Sequence, residues 1–207
     1  MDGNGRWAQR RQLPRTAGHT AGEENLAEVV RAAVRRDVDW LTVFGFSTEN
    51  WIRPRREVRH ILGLHRRLFG RVAELNELGV RVQWIGRPFD DPSARTPVFV
   101  QRAIEKAIAD TRHNEKMTLT VAFDYGSRAE IVEAGRRALR SARPVTVATF
   151  TSGMSQPDMP PVHAMVRPSG APPVSHFLLC QATAAPTYYT ARAWPHSAPT
   201  QLAPPPP

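Results

Sequence analysis

The apolar residues of this chain follow two different periods. Helical spacing, in which apolar side chains return every three or four positions, predicts helices over residues 23–36, 57–78, 97–113 and 128–141. Continuous apolar runs of strand length predict strands over residues 40–46, 80–85 and 117–123. Because strands alternate with helices, the pattern predicts an α/β fold: a single domain with a mostly parallel central sheet flanked by helices.

The last third of the chain differs in composition from the rest. Fourteen of the 19 prolines lie in residues 144–207, and Asp158 is the only acidic residue beyond Glu133. We therefore expect one domain over residues 1–196, followed by a proline-rich, disordered tail over residues 197–207.

Two short apolar stretches in this third still predict regular structure. The first predicts a buried strand over residues 162–166. The second predicts a helix over residues 175–185, which Pro186 would end.

The composition fits a globular chain of 207 residues, 41% of them hydrophobic, which is enough for a sizeable core. No apolar run reaches the length of about 18 residues that a transmembrane helix needs. The polar, glycine-rich start argues against a signal peptide. The single Cys180 excludes an internal disulfide and a cysteine zinc cluster. These features together indicate a cytoplasmic protein.

The charge balance is strongly basic. The chain has 28 Lys and Arg against 19 Asp and Glu, a formal net charge of +9, and its only lysines are Lys106 and Lys116. Arginine suits anionic partners such as diphosphates and nucleic acids, although genomic base composition explains the richness equally well. The arginines are spread over several predicted helices, without zinc-finger spacing or interleaved aromatic residues. We therefore expect no nucleic-acid partner.

The first residues combine a carboxylate, two glycines, an amide and an arginine in Asp2, Gly3, Asn4, Gly5 and Arg6. Glycines let backbone N–H groups approach a ligand closely, and arginine supplies a forked cation. This is the chemistry of a phosphate cradle, and the carboxylate suits a magnesium–phosphate complex. On its own, an aspartate followed by glycine also fits a simple turn.

Two further polar clusters follow predicted strands. Residues 47–51 come after the first strand, and residues 124–126 come after the third. Ligands of parallel α/β sheets bind beyond the carboxyl ends of the strands. We therefore expect both clusters and the glycine-rich segment to meet at one edge of the sheet.

An ordered series of motifs resembles the cis-prenyltransferases, the undecaprenyl diphosphate synthase family of isoprenyl transferases. The matching segments are residues 1–8, 18–22, 46–51, 53–54, 85–86, 122–131, 166–170, 175–179 and 194–195. The resemblance implies transfer of an allylic prenyl group to isopentenyl diphosphate, which gives a cis-polyprenyl diphosphate and pyrophosphate. It also implies Mg2+, a homodimer, and peripheral membrane contact through the lipid product.

The resemblance also implies roles for individual residues. Asp2 is implied as the central catalytic and magnesium-binding carboxylate, and Asn50 as the polar residue linked to proton removal from the isopentenyl unit. The allylic diphosphate pocket would be formed by Gly3, Asn4, Gly5, Arg6, Arg15 and His19. Further substrate-binding residues would be Trp7, Ser47, Thr48, Glu49, Trp51, Arg53, Arg167 and Ser175. The alternatives are that Asn50 caps a helix and that Arg6 and Arg15 are solvated surface cations. His19 would then be an ordinary loop residue, and Trp7 and Trp51 would belong to the core.

The chain departs from the family pattern in two regions. No strand precedes the segment at Met1 in the given sequence. Either translation starts upstream of this methionine, as we expect, or the protein lacks a central strand of the family. On the isopentenyl diphosphate side, Ala171 stands where the family has Glu and Pro173 where it has Arg. The loss of one arginine would weaken diphosphate binding roughly tenfold to a hundredfold.

Two other family positions are also changed. His176 replaces an Asn, and the family's downstream metal-binding Glu falls on Pro186. These departures leave an alternative function open, that of a catalytically impaired or non-catalytic relative acting as a binding subunit.

Overall fold

The computed structural model describes residues 1–170 and 176–197. Its central sheet is formed by β1 (Trp40–Ser47), β2 (Val80–Ile85) and β3 (Met117–Tyr125), in the order β1-β3-β2. Both strand pairs are parallel, with Leu41 opposite Leu119 and Val82 opposite the same residue. All nine residues of β3 are buried, as a central parallel strand requires.

The helices in the described ranges are α1 (Asn4–Gln9), α2 (Arg15–Arg35), α3 (Arg55–Phe69), α4 (Val72–Glu77), α5 (Val98–Thr111), α6 (Ser127–Arg140) and α7 (Val147–Ser152). Short 3₁₀ turns span Thr48–Ile52 and Trp194–His196, and β4 (Met165–Pro168) pairs in parallel with β5 (Thr187–Thr190). The predicted α/β class is confirmed. Within the described ranges, no helix has the length and apolarity that would let it span a membrane.

The main core lies between the sheet and the helices α2, α3 and α5. Its buried residues include Leu26 of α2, Ile61 of α3 and Ile104 of α5. A smaller cluster joins Tyr125 at the end of β3 to Leu178. The sheet is therefore covered by regular helices and also by the irregular segment over residues 176–182.

The three strands predicted for the central sheet match the structure closely, but three predicted helices do not. The helix expected over residues 57–78 is broken, because α3 ends before Gly70 and α4 starts after Arg71. The helical spacing of apolar residues continues across the break, so the sequence pattern did not predict the break. Helix α2 begins at Arg15, well before the expected start at residue 23.

The expected helix over residues 175–185 is also wrong. Residues 176–185 form bends and turns, and Leu178 has φ 51°, which an α-helix does not allow. One helix-type bond remains, from Ala182 N–H to the Leu178 carbonyl at 2.8 Å. Other groups bond to α6 instead, because Leu179 N–H donates to Ser127 Oγ at 3.1 Å and the Gln181 amide donates to Glu130 at 3.1 Å.

The expected buried strand over residues 162–166 is largely wrong too. Strand β4 begins only at Met165, and Val166 is 39% exposed. The sequence pattern did not predict α1, α7 or β5.

Glycines allow α1 to lie directly against α2. A Cβ at Gly18 would lie 2.0 Å from the Asn4 carbonyl oxygen, and a Cβ at Gly22 would lie 2.8 Å from Asn4 Oδ1. On the other side, the Trp194 indole donates to the Gly22 carbonyl at 2.7 Å, and Trp194 N–H donates to the Asp2 carbonyl at 3.0 Å. The N-terminal segment is therefore held between α2 and the last 3₁₀ turn.

This packing predicts opposite effects for two helical glycine-to-alanine substitutions. Gly18→Ala should lower the free energy of unfolding by about 1–3 kcal/mol, because the new methyl group meets backbone of α1. Gly63→Ala is the matched control: apart from its chain neighbours and the nearby backbone of its own helix, no described atom lies within 4 Å of its Cβ position, so the better helix former should stabilise by about 0.5–1 kcal/mol. Urea denaturation measures both values, and equal effects would contradict the close approach of α1 and α2.

Candidate active site

A buried carboxylate, Glu57 at the start of α3, lies at the centre of the site. Arg15 donates to it through Nε at 3.2 Å and Nη2 at 3.3 Å. His19 Nε2 lies 2.9 Å from Glu57 Oε1, and Arg53 Nη1 donates to the same oxygen at 2.9 Å. The Glu57 side chain is only 8% exposed, so these contacts supply the pairing that a buried charge requires.

The pKa of Glu57 falls from its ordinary value of 4.5 to about 2. Burial alone would raise this pKa, but hydrogen bonds from Arg15 and His19 and the charges of Arg15 and Arg53 outweigh burial. Glu57 is therefore ionised at neutral pH and holds both guanidinium groups in place.

Glu57 was not among the predicted site residues. The i,i+4 spacing of Arg53 and Glu57 was the one local signal available. Arg15 and His19 come from α2, and their contacts with Glu57 exist only in the folded chain.

A cavity lies between α2, α3 and β1, with polar and apolar walls. Four of the predicted site residues line its polar part: Asn4, His19, Asn50 and Arg53. The apolar part is lined by Leu26, Ile61, Leu64 and Leu68. Such a cavity suits a ligand with an anionic head and a hydrocarbon chain.

Two of the predicted residues near Glu57, Arg15 and Gly5, lie very close to each other. A Cβ at Gly5 would lie 2.5 Å from the Arg15 guanidinium carbon. The absence of a side chain at Gly5 therefore lets the Arg15 guanidinium lie against the backbone of α1.

Asp2 and Arg6 form an exposed pair at the start of α1. Gly3 has φ 87°, a conformation that favours glycine, and its N–H donates to Asp2 Oδ1 at 2.6 Å. Arg6 Nη2 lies 3.4 Å from Asp2 Oδ2, and the Asp2 side chain is 57% exposed. The carboxylate is oriented by its own segment and remains accessible to a ligand.

Few side chains near Asp2 among the described residues could help it to hold a metal ion. Within the described ranges, no three His, Cys, Asp or Glu side chains are arranged to hold a metal ion. Asp2 fits a magnesium ion that is held by one carboxylate together with phosphate oxygens and water. Pro186 has no side-chain ligand to offer, and its carbonyl accepts the Met165 N–H at 2.9 Å.

The clusters after β1 and β3 meet, as predicted from the sheet edge. The Trp51 indole donates to Asp124 Oδ1 at 2.7 Å, and Arg87 Nε lies 3.8 Å from Asp124 Oδ2. A Cβ at Gly126 would lie 2.8 Å from Thr48 Oγ1. Buried Asp124 thus braces the turn that carries the residues after β1.

Asn50 takes part in capping this turn. Ser47 N–H donates to Asn50 Oδ1 at 3.2 Å, the reciprocal bond of a capping box. This bond assigns the oxygen of the Asn50 amide, because a backbone N–H requires an acceptor. Asn50 lines the cavity, and its NH2 group is the donor that remains available.

Glu49 faces the C-terminal part of the chain. Its Oε1 lies 3.3 Å from His176 Nδ1, and its side chain is 54% exposed. Burial raises the pKa of Glu49, but hydrogen bonds from its own N–H, Ser47 and His176 produce a net lowering. Glu49 does not line the cavity and instead connects the turn after β1 to the segment over residues 176–185.

Trp7 and Arg167 also lie apart from the Glu57 cluster. The rings of Trp7 and His196 pack edge to face with their centres 5.4 Å apart, and the Arg11 guanidinium carbon lies 4.5 Å from the Trp7 ring centre. Arg167, on β4, lies 6.0 Å from the Tyr189 ring centre.

Arg167 also approaches the N-terminal segment. Burial lowers the pKa of the Met1 amino group to about 6, with Asp2 opposing that effect and Arg167 adding to it. The predicted residue Ser175, with Ala171 and Pro173, lies outside the described residues.

A histidine without a predicted role, His65, also lines the cavity. Its Nδ1 donates to the Ile61 carbonyl at 2.9 Å, so the neutral ring leaves its lone pair on Nε2, which has no partner in the described residues. Burial lowers the pKa of His65 to about 4. A Cβ at Gly45 would lie 2.5 Å from Nε2, and Gly45 is an extra residue at a register shift in β1.

Comparisons of the whole chain with known proteins give a consistent result. A family model described as "Putative undecaprenyl diphosphate synthase" matches residues 1–204. A trans,polycis-polyprenyl diphosphate synthase from Thermobifida fusca, specific for (2Z,6E)-farnesyl diphosphate, is 41% identical over 94% of this chain and 70% of its own length. Isoprenyl transferase 2 from Corynebacterium glutamicum is 42% identical over 94% of this chain and 82% of its own length.

A solved structure shares the fold. Lavandulyl diphosphate synthase from Lavandula x intermedia, crystallised with dimethylallyl diphosphate, aligns with a TM-score of 0.90 and 27% identity. The alignment covers 98% of this chain and 89% of that chain.

The environment of Glu57 predicts an acid-sensitive contribution to stability. Because its folded pKa is depressed, the contribution is present above pH 4.5 and is lost as the pH falls towards about 2. At neutral pH the free energy of unfolding of the wild type should exceed that of Glu57→Gln by about 3 kcal/mol, and this difference should shrink as the pH falls across that window. Glu28→Gln, an exposed carboxylate on α2, is the control and should change little. Denaturant titrations at several pH values measure the differences, and a pH-independent gap for Glu57→Gln would contradict the assignment.

Proposed function

Since this chain belongs to the undecaprenyl diphosphate synthase family of prenyltransferases, we propose that it condenses an allylic prenyl diphosphate with isopentenyl diphosphate. Family membership confirms the resemblance inferred from the motifs. The products would be a cis-polyprenyl diphosphate and pyrophosphate. By the same resemblance, the proposal includes a cytoplasmic homodimer whose lipid product contacts the membrane surface.

The observation that carries the proposal is the two-part cavity beside Glu57. An allylic prenyl diphosphate has an anionic head and an apolar chain, and the cavity offers His19, Arg53 and Asn50 to the head. The leucines and isoleucine between α2 and α3 suit the hydrocarbon. This match of chemistry along one cavity favours an amphiphilic substrate over a purely polar one.

The reaction needs stabilisation of the leaving diphosphate. As its C–O bond breaks, the electron pair stays on the diphosphate oxygen, and negative charge grows there. Arg15 and Arg53 are held by Glu57 at 3.2 and 2.9 Å, so they need little reorganisation as that charge develops. The allylic carbon bonds to the isopentenyl double bond, and transfer of a proton from the isopentenyl unit to the released diphosphate completes the product.

Asn50 would act as a hydrogen-bond donor in this scheme. Its oxygen accepts Ser47 N–H at 3.2 Å, which leaves the NH2 group to orient a substrate oxygen. Asn50 would then position the isopentenyl diphosphate for proton loss without itself accepting the proton.

Asp2 would hold Mg2+ together with diphosphate oxygens. When bound, the ion supplies charge neutralisation on the diphosphate. The exposure of the Asp2 carboxylate and its orientation by Gly3 N–H support this role.

A second candidate function is that of a catalytically impaired relative acting as a binding subunit. Pro186 favours it, because the family's downstream metal ligand is replaced by a residue whose carbonyl is used in β4–β5 pairing. The replacements at Ala171 and Pro173 point the same way.

One assay separates the two functions. The chain is incubated with labelled isopentenyl diphosphate, Mg2+ and allylic primers of several lengths, and extracted products are resolved by thin-layer chromatography. Labelled polyprenyl products would support the enzyme. A folded chain that binds primer but forms no product would support the binding subunit.

Asp2→Asn should reduce turnover by about a hundredfold or more while leaving the fold intact, because the amide keeps the shape but loses the charge that holds magnesium. Asp37→Asn is the matched control, since Asp37 forms an exposed pair with Lys116 far from the cavity. Initial rates of product formation and circular dichroism measure the two effects. Wild-type turnover by Asp2→Asn would exclude the proposed role.

A further inference from the structure

We propose that Glu57 is a positioning residue that presents Nδ1 of His19 to the ligand, so that diphosphate binding is accompanied by uptake of one proton at His19. The identity of the ligand rests on the proposed function. The protonation itself follows from the contacts of His19, Glu57 and the two arginines.

The contact with Glu57 assigns the tautomer of His19. An ionised carboxylate only accepts hydrogen bonds, so His19 Nε2, 2.9 Å from Glu57 Oε1, must carry a hydrogen. In the neutral ring the lone pair is then on Nδ1. No described residue hydrogen-bonds Nδ1, and His19 lines the cavity.

Without a ligand, the surroundings of His19 favour its neutral form. Burial lowers its pKa below the ordinary value of 6.5, and the charges of Arg53 and Arg15 act in the same direction. Glu57 opposes them through its hydrogen bond and charge but does not prevail.

The ionisable groups around His19 determine whether its ring can gain a positive charge. The ionisable groups that face it or share its cavity are the Met1 amino group, Arg15 and Glu23 on α2, Arg53 before α3, and Glu57 and His65 on α3. Glu23 is already paired with Arg71 at 3.0 Å, and α1 contributes only the uncharged Asn4 to the cavity.

A diphosphate changes this balance. Its oxygens carry several negative charges and accept hydrogen bonds, so a bare Nδ1 lone pair facing them is repulsive. A protonated ring instead donates from Nδ1 to the ligand and from Nε2 to Glu57. The proton comes from solvent, and His19 gains one positive charge on binding.

Glu57 is essential to this linkage because it stabilises the imidazolium. The Glu57→Gln variant keeps the shape of the side chain but removes the negative charge. Its amide can also donate to Nε2, which moves the ring hydrogen to Nδ1 and removes the need for a proton from solvent. Proton uptake should therefore be lost even where the diphosphate still binds.

Calorimetry of the full chain with inorganic pyrophosphate tests the proposal. Titrations in two buffers of different ionisation enthalpy at the same slightly alkaline pH give the number of protons taken up. Subtracting the value for His19→Gln removes the ligand's own titration. The wild type should show an excess of about one proton, and its affinity should weaken about tenfold per pH unit relative to that variant.

Glu57→Gln should show no excess proton uptake, whereas the control Glu28→Gln should match the wild type. Histidine ring nitrogen NMR of the wild type gives a second readout that does not need a folded variant: His19 Nδ1 should change from unprotonated to protonated when pyrophosphate is added. An unprotonated Nδ1 in the complex, unchanged uptake in Glu57→Gln, or no pyrophosphate binding would each overturn the proposal. Proton-linked binding without product formation would instead overturn the proposed function alone.

Discussion

The pairing of one buried carboxylate determines the geometry of this site. Glu57 is nearly inaccessible to solvent, and an ionised group in that position is tolerated only with close partners. Its partners come from two places in the chain: Arg15 and His19 from the first turns of α2, and Arg53 from the segment before α3. The pairing therefore aligns the two helices that form the walls of the cavity, and the same contacts that stabilise the fold also orient the cations of the site.

The segment that first suggested a phosphate cradle depends on this alignment. Helix α1 has six residues, too few to be stable alone in water. It is held because Gly18 and Gly22 let its backbone approach α2, and because Trp194 bonds to both sides of the contact. The chemical groups of residues 2–6 are thus adjacent in sequence, but their arrangement in space depends on tertiary contacts.

The sequence predicted the elements whose signal is local and missed those set by long-range contacts. Continuous apolar runs identified all three strands of the central sheet, because burial on both faces requires such runs. The Glu57 cluster was missed because its two partners on α2, His19 and Arg15, are 38 and 42 residues away in the chain. The expected helix over residues 175–185 failed for a similar reason: Leu179 N–H and the Gln181 amide there bond to Ser127 and Glu130 of α6.

The two sides of the site differ in how their cations are held. On one side, Arg15 and Arg53 share a buried carboxylate, so their positions are fixed before any ligand arrives. On the other, Arg167 depends on the short β4–β5 pair, where it lies opposite Tyr189 and contacts its ring. Pro186 supplies the carbonyl that starts this pairing and contributes no ligand group. In the proposed reaction the allylic diphosphate therefore meets the preorganised side, whereas recognition of the second diphosphate relies on a smaller and more exposed element.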